Sequence, residues 1–295
     1  LMSNIKEQVA MISEVGEYRI PLLVAIALIS VGLSIKSALF PFHAWLPDAY
    51  GYSTVSSAAI LSSLVSKGYI FLLFKIVYRV IGFEVFYSSR IIDILFIFGL
   101  MGMIFGSLSA IKENDIRRMI AFSSVAQIGY IYMGIGMGTQ AGMSASVFHI
   151  LSHAATKSLL FIAAIGLTEV SDGSRQFIKL TGAAYRNKWA GVAFTMGALS
   201  MVGVPLFSGF ISKLLFAQAA VQNQMKMLPA LIVLGISTIL NAIYFMKTVI
   251  RIYTPVEDFE FETVTFRNMK IYAAALVCFI ALNVFLGVSS QPIVD

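Results

Sequence analysis

The chain has 295 residues, of which 58% are hydrophobic and only 12% are charged, and its mean hydropathy is +0.85. This composition excludes an ordinary soluble domain, in which about a quarter of the residues are charged. The formal net charge of +6 does not indicate nucleic-acid binding, because the basic residues cluster at the ends of apolar runs. The single cysteine, Cys278, lies in such a run and gives no information on redox compartment.

The apolar runs are long enough to cross a bilayer. A transmembrane helix needs about 20 predominantly apolar residues. This length predicts eight spans, at residues 20–46, 55–79, 90–111, 117–138, 141–168, 189–222, 228–252 and 268–291. We therefore expect an all-α polytopic membrane protein with about eight transmembrane helices.

Two of these spans are predicted to be discontinuous. The first span contains Pro41, and the sixth contains Pro205 and Gly209. Proline removes an amide donor and clashes with the preceding turn, so a helix that carries one in mid-membrane breaks or kinks. The carbonyl groups freed at a break need water, a side chain or an ion as a partner.

Lys and Arg are distributed unevenly between the two sides. One side carries Lys112, Arg117, Arg118, Arg175, Lys179, Arg186, Lys188, Arg251, Arg267 and Lys270. The other side carries only Lys6, Arg19, Arg79, Arg90 and Lys226. Because cytoplasmic loops are enriched in basic residues, the loops 112–118, 169–188 and 253–267 are predicted to face the cytoplasm and both termini the outside.

The first 19 residues are too polar to span a membrane, so we interpret residues 1–19 as an extramembrane segment. They lack the layout of a signal peptide. Since the chain opens on Leu1 rather than on an initiator methionine, we expect it to be part of a longer protein.

Five ionisable side chains lie deep within the apolar spans: Lys36, Lys67, Lys213, His149 and His153. A charge at the bilayer centre costs from about 3 to more than 10 kcal/mol, so such groups are rare and usually line an ion path. The alternative for each single lysine is a structural contact to exposed backbone carbonyls. Proton or cation conduction is the leading hypothesis.

The fifth span carries the most informative arrangement. His149, His153 and Lys157 recur every four residues, so they form one slowly winding helical stripe with steps of about 6 Å along the axis. Histidine and a desolvated lysine can both exchange protons near neutral pH, which makes the stripe a candidate proton relay. Two histidines at this spacing can also share a metal ion, but residues 150–152 supply no carboxylate, and we predict no metal site.

No acidic residue falls in the middle of a predicted span. The nearest candidates are at span ends or in connections: Glu84, Asp93, Glu113, Asp115 and Glu169. A buried lysine normally needs an opposing carboxylate, so we expect the partner carboxylate to lie on polypeptide outside this sequence.

Four ordered segments together resemble a known family. Residues 35–50 (IKSALFPFHAWLPDAY) resemble the seventh-helix signature of the antiporter-like subunits shared by respiratory complex I, membrane-bound hydrogenases and Mrp-type sodium/proton antiporters. Residues 115–130 (DIRRMIAFSSVAQIGY) are similar to the family's connection between its ninth and tenth helices. The His149, His153 and Lys157 stripe resembles its eleventh helix, and residues 205–213 resemble its broken twelfth helix.

The resemblance implies an architecture. In that family, fourteen helices contain two inverted five-helix repeats. Residues 20–79 would then hold the last two helices of the first repeat, residues 90–252 the complete second repeat, and residues 253–295 a cytoplasmic loop and the final helix. In having a lysine at both positions, Lys67 and Lys213, this sequence resembles the Mrp D-type subunits and some complex I and hydrogenase relatives.

The resemblance also implies a mechanism. Lys36 would form a switchable ion pair with a glutamate of the family's fifth helix, and Lys67 would pass a proton laterally. His149, His153 and Lys157 would extend the relay to Lys213, which would govern release. Trp45 and Asp48 are assigned structural roles, and His43 is a candidate proton uptake point.

These expectations describe a proton-translocating subunit, with possible coupling to Na⁺, of a multi-subunit respiratory, hydrogenase or antiporter complex in a prokaryotic inner membrane. No cofactor motif occurs in the sequence, so redox chemistry would reside in partner subunits, as in an NADH:quinone oxidoreductase-like or hydrogenase complex. Two alternatives stay open: a stand-alone carrier of a small anionic solute, which would also use broken helices, and a non-transporting membrane scaffold.

Overall fold

The computed structural model describes residues 2–15, 18–255 and 270–289. In this part of the chain the α-helices are α1 Met2–Glu14, α2 Arg19–Ser37, α3 Trp45–Tyr52, α4 Val55–Ile60, α5 Ser66–Ile76, α6 Phe83–Ser88, α7 Ile91–Lys112, α8 Ile116–Gly136, α9 Gln140–Glu169, α10 Ala183–Arg186, α11 Lys188–Val202, α12 Ser208–Val221, α13 Gln224–Ile252 and α14 Lys270–Val288. The π-helical segment Leu61–Val65 joins α4 to α5, and a second one, Val77–Ile81, extends α5, so that together they form one continuous span, Ser56–Ile81.

Among the described residues, seven helical spans are long and apolar enough to cross a membrane, and Ser208–Val221 is a shorter apolar helix. The predicted all-α polytopic membrane fold is therefore confirmed. Most of the predicted loop 253–267 and the outermost residues of the predicted span 268–291 lie outside the described residues.

Both predicted discontinuous helices are present. The first ends at Ser37, where Ala38 adopts a left-handed conformation with φ 61°, and the chain turns through Pro41 before α3 begins at Trp45. The indole Nε1 of Trp45 donates to the Ile35 carbonyl at 3.0 Å, which satisfies one acceptor at the end of α2.

The second interruption separates α11 from α12. Gly203 ends α11 with φ 92°, a conformation that glycine adopts without steric cost. Pro205 lies in the connection, whereas Gly209 lies in the first turn of α12 rather than between the two halves. The break therefore spans residues 203–207.

Helix α8 lies at the centre of the bundle, packed closely against α7. A Cβ atom added at Gly129 would lie 2.6 Å from the Gly99 carbonyl oxygen, and one added at Gly106 would lie 2.6 Å from the Ala126 amide nitrogen. Small residues allow such close backbone approach between membrane helices. This contact fixes the position of α8 relative to α7.

Two of the predicted cytoplasmic loops meet at the same end of the bundle. The Ile116 amide donates to the Arg175 carbonyl at 3.0 Å, and the Phe177 amide donates to the Asn114 carbonyl at 3.0 Å. Arg175 also pairs with Asp115 at 3.3 Å. The loops 112–118 and 169–188 therefore lie on one side, as the charge count requires.

Asp115 begins α8 as its N-cap. Its Oδ1 accepts from the Arg117 amide at 2.8 Å and from the Arg118 amide at 3.1 Å. We expect Asp115→Ala to lower the free energy of unfolding by about 1 kcal/mol or more, because caps of this kind contribute about 0.5–2 kcal/mol. Thermal unfolding in detergent measures it. Asp115→Asn keeps a capping oxygen and should lose less; equal losses in the two variants would contradict the capping role.

Candidate proton-relay site

Lys67 lies in the first turn of α5 and is buried, with 2% of its surface exposed. Its ammonium group donates to the Ser62 carbonyl and to the Ser66 hydroxyl, the latter at 3.3 Å. Ser62 belongs to the π-helical segment Leu61–Val65, where the wider turn opens the backbone; such segments occur frequently at functional sites. The local helix geometry therefore supplies the partner of this lysine.

A row of polar contacts lies between Lys67 and Lys157. Lys67 binds the carbonyl of Ser62, and the next contact is made by the hydroxyl of the same residue. The Ser62 hydroxyl lies 3.3 Å from the Ser124 hydroxyl, and Ser124 in turn donates to the Ile120 carbonyl at 3.3 Å. The Lys157 ammonium donates to that same carbonyl at 2.7 Å and also to the Ser123 hydroxyl. Helix α8 thus bridges the span of Lys67 and the helix of Lys157.

Helix α9 carries His149, His153 and Lys157, which are 4%, 1% and 0% exposed. The two imidazole rings stack, with centroids 5.8 Å apart and planes 7° from parallel, so the two histidines lie on one face of the helix. Neither ring nitrogen of His153 has a hydrogen-bond partner within the described part of the chain. Buried polar atoms almost always have a protein or water partner, so we expect water to bind His153.

His149 connects this stripe to the broken helix. Its Nδ1 lies 2.5 Å from the Ser212 hydroxyl, in α12. Tyr130 stacks on the imidazole at 5.5 Å, and Phe216 contacts it edge-on at 5.4 Å. These aromatic neighbours fix the orientation of the ring beside Ser212.

Lys213, the next residue, binds the carboxyl end of α11. Its ammonium donates to the Val202 carbonyl at 2.6 Å and to the Met201 carbonyl at 3.2 Å. It also lies 6.0 Å from the centre of the Tyr130 ring, within range of a cation–π interaction. Lys213 therefore supplies the donor that the broken helix requires.

The structural contact that the sequence leaves open as an alternative is thus present at both Lys67 and Lys213, since each binds backbone carbonyls. The two roles are compatible. A lysine held against carbonyl oxygens is oriented, and it can still release its proton when another cation approaches. The geometry therefore gives both lysines fixed neighbours.

Lys36 lies apart from this group. It occupies the last turn of α2 and is exposed on the surface of the chain. Within the described residues no ion pair or hydrogen bond joins it to a neighbour. The structure therefore assembles Lys67, His149, His153, Lys157 and Lys213, but not Lys36.

The ionisable side chains that the structure brings together in this site are all basic. The ion pairs within the described residues involve Asp48, Asp93, Glu113 and Asp115, all of which lie at helix ends or in connections. No carboxylate in this part of the chain pairs with the buried lysines and histidines. Because like charges repel more strongly away from water, a positive charge on one of these groups disfavours a positive charge on its neighbours.

Several members of the site are not evident from sequence spacing alone: Ser62, Ser123, Ser124, Ser212 and Tyr130. Serine is common in membrane helices, and which hydroxyl meets a lysine depends on the rotation of neighbouring helices. Each of the five nevertheless lies in or beside a recognisable segment: Ser62 shortly precedes Lys67, Ser212 falls within residues 205–213, and the other three fall within residues 115–130. Their position in or beside these segments is the only feature of the sequence that points to them.

Comparisons with known proteins place the chain in a family. Residues 2–240 match the family described as NADH:quinone oxidoreductase/Mrp antiporter, TM. The chain is 35% identical over 234 residues to NADH-quinone oxidoreductase subunit N of Desulforudis audaxviator, covering 78% of this chain and 45% of that protein. It is 28% identical over 264 residues to a Na(+)/H(+) antiporter subunit of Alkalihalophilus pseudofirmus, covering 89% and 52%.

The fold has a close match among solved structures. A chain of the Mrp complex from Dietzia sp. DQ12-45-1b superposes with a TM-score of 0.82 at 26% identity, covering 97% of this chain and 60% of that one. The present chain spans about half the length of the curated relatives it matches. It is an integral membrane protein and belongs to the NADH:quinone oxidoreductase/Mrp antiporter transmembrane family.

Proposed function

We propose that this chain is the proton-translocating part of a membrane subunit in a multi-subunit respiratory or antiporter complex. The observation that carries the proposal is the row of polar contacts that runs from Lys67 through Ser62, Ser124 and Ile120 to Lys157. Because a carbonyl oxygen only accepts hydrogen bonds, water beside these groups would carry the proton between the two lysines. The stacked histidines continue the path to Ser212, beside Lys213. Water bound at His153 would complete the links between α9 side chains that do not touch.

In this proposal, electrostatic repulsion between neighbouring titratable side chains drives the proton from one to the next. A proton that arrives at Lys67 disfavours the charge on Lys157, and the effect passes along His153 and His149 to Lys213. Lys36, exposed on the face of α2, would pair with a carboxylate from outside this chain and so set the charge that Lys67 experiences. Breaking that pair would start the transfer.

The proposal extends to topology and partners. Both termini would lie outside a prokaryotic inner membrane, with the loops 112–118 and 169–188 in the cytoplasm. Residues 20–79 would end one inverted repeat and residues 90–252 would form the second. Since the relatives are named as subunits of NADH-quinone oxidoreductase and of a Na(+)/H(+) antiporter, other membrane subunits of such a complex would be the partners, and protons and Na⁺ the transported ions.

Native membrane vesicles that carry Lys213→Met test the function. We expect energised proton transport, followed with a pH-sensitive dye, to fall at least about tenfold, a change equivalent to about 1.4 kcal/mol in the barrier. Lys247→Met, at an exposed position of α13, is the matched control and should transport normally. Wild-type transport by Lys213→Met would remove Lys213 from the path.

A further inference from the structure

A polar cavity of about 620 Å³ lies at the end of the bundle where the loops 112–118 and 169–188 meet. We call it the basic cavity. Its lining contains four basic and two acidic side chains, namely Lys112, Arg118, Arg175 and Lys179 against Glu113 and Asp115. None of these residues belongs to the proposed proton path, and positive charge is in excess around the cavity.

The two carboxylates of the lining are already paired. Both oxygens of Glu113 accept from Arg118 Nε at 3.2 Å, and Asp115 pairs with Arg175 at 3.3 Å. Arg118 also pairs with Asp48, which lies outside the lining. The carboxylates therefore neutralise the two arginines and leave the charge of the lysines uncompensated.

Two lysines of the lining lack a counter-ion in the part of the chain that the structure describes. The ammonium groups of Lys112 and Lys179 make no ion pair or hydrogen bond there, and both side chains are exposed. Each lies beside exposed apolar surface. Leu108, one helical turn before Lys112, is 39% exposed, and Ile178, next to Lys179, is 72% exposed. The uncompensated charge therefore lies at an edge between polar and apolar surface.

Tyr52 holds the two arginines at the cavity. Its ring, 64% exposed, lies 5.8 Å from the Arg118 guanidinium carbon and 5.3 Å from that of Arg175, within range of cation–π interactions. In both arginines the Nη2 group makes no hydrogen bond within the described residues, so donors remain for an anion. Exposed tyrosines are typical of the membrane interface, where lipid headgroups lie.

From this arrangement we propose that the basic cavity binds the phosphate headgroup of an anionic phospholipid, with the acyl chains along the exposed face of α7. Basic pockets between membrane helices bind such headgroups, and a volume of about 620 Å³ is in the range of small-molecule sites. Lys112 comes from one loop and Lys179 from the other, so a headgroup bound by both would hold the two loops together. The inference is independent of proton transport.

The apolar surface favours a lipid over an acidic segment of a partner protein. One leaflet of hydrocarbon is about 15 Å deep, which is about ten residues of helix. Phe105, which is 45% exposed, and Leu108 lie within that distance of Lys112 and, at steps of three and four residues, on the same face of α7. A lipid bound through its phosphate would cover this face with its chains, whereas an acidic peptide would pair with the lysines alone.

Native mass spectrometry of the purified full chain in detergent, titrated with phosphatidylglycerol or phosphatidylcholine of identical acyl chains, tests the inference. We expect phosphatidylglycerol to bind at least about tenfold more tightly than phosphatidylcholine, because only its headgroup carries a net negative charge. The double variant Lys112→Gln/Lys179→Gln should lose at least about tenfold of that affinity. Lys188→Gln/Lys270→Gln, which removes two exposed lysines predicted to face the same side, is the matched control and should bind like the wild type.

Thermal unfolding gives a second readout, since a ligand that binds the folded state raises its unfolding midpoint. Phosphatidylglycerol should raise the midpoint of the wild type and of the control, but not that of Lys112→Gln/Lys179→Gln. Equal affinity for the two lipids, or an equal loss in the control variant, would overturn the site. Displacement of phosphatidylglycerol by equal concentrations of glycerol 1-phosphate would show a free-phosphate site, and displacement by polyglutamate would show a protein-binding one; either result would overturn the lipid assignment.

Discussion

Replacing Lys157 by methionine is expected to reduce proton transport at least about tenfold while the protein still folds. Lys157 is fully buried, and its ammonium group binds the Ile120 carbonyl and the Ser123 hydroxyl on α8. In the proposed relay it therefore joins α8 to the histidines of α9. Methionine preserves much of the volume and removes the titratable group. The carbonyl of Ile120 keeps the Ser124 hydroxyl as a donor, so the substitution leaves this buried acceptor with a partner.

Proton transport in native membrane vesicles, normalised to the amount of protein in the membrane, measures this effect. Lys75→Met is the matched control, because Lys75 is exposed on α5 and has no place in the relay. Transport at the wild-type rate in Lys157→Met would show that protons bypass α9. A loss of membrane-inserted protein in Lys157→Met, with normal specific transport by what remains, would assign Lys157 a structural role only.

Gly209→Ala is expected to prevent correct assembly of the broken helix. A Cβ atom at this position would lie 1.8 Å from the Ser200 carbonyl oxygen. The Cβ position is set by the backbone of residue 209 and the oxygen belongs to the backbone of Ser200, so no side-chain rotation can relieve the clash. Overpacking in a well-packed interior costs about 1–3 kcal/mol and sometimes more, and a backbone overlap belongs to the upper end. The same shift would displace Ser208 from Asn283.

The yield of monodisperse protein and its thermal unfolding midpoint measure the effect of Gly209→Ala. Gly235→Ala is the control, because a Cβ atom there has no neighbour within 4 Å; alanine in an exposed helix is favoured over glycine by about 0.5–1 kcal/mol, so this variant should be at least as stable as the wild type. Equal unfolding midpoints for Gly209→Ala and wild type would mean that α11 and α12 approach less closely than the structure indicates.

Sequence reasoning recovers the parts of this molecule that depend on local chemistry. Apolar run length predicts the spans, and Pro41 and Pro205 mark the two interruptions because proline cannot continue a helix. Four-residue spacing places His149 and His153 on one face of α9, which depends only on helix geometry. These features need no knowledge of how the helices pack.

The remaining features depend on packing between helices. Ser62 meets Ser124 across 62 residues of sequence, and which serine of α8 faces Lys157 is decided by the rotation of α8 against α7. Asn283 lies 127 residues from Thr156, so nothing in its own helix indicates that it accepts a hydrogen bond from the Thr156 hydroxyl. The sequence places Lys36 well inside its predicted span. In the structure the side chain is exposed, because the opposite face of α2 is the one that packs against the other helices.

The most direct test of a single connected relay is a double-mutant cycle on its two ends. Proton transport in native membrane vesicles is compared among wild type, Lys67→Met, Lys213→Met and the double variant. In a series path one missing group already blocks transfer, so each single variant should lose most of its transport and the double variant should lose little more. If the two losses multiply in the double variant, or if either single variant transports at the wild-type rate, Lys67 and Lys213 do not share one path.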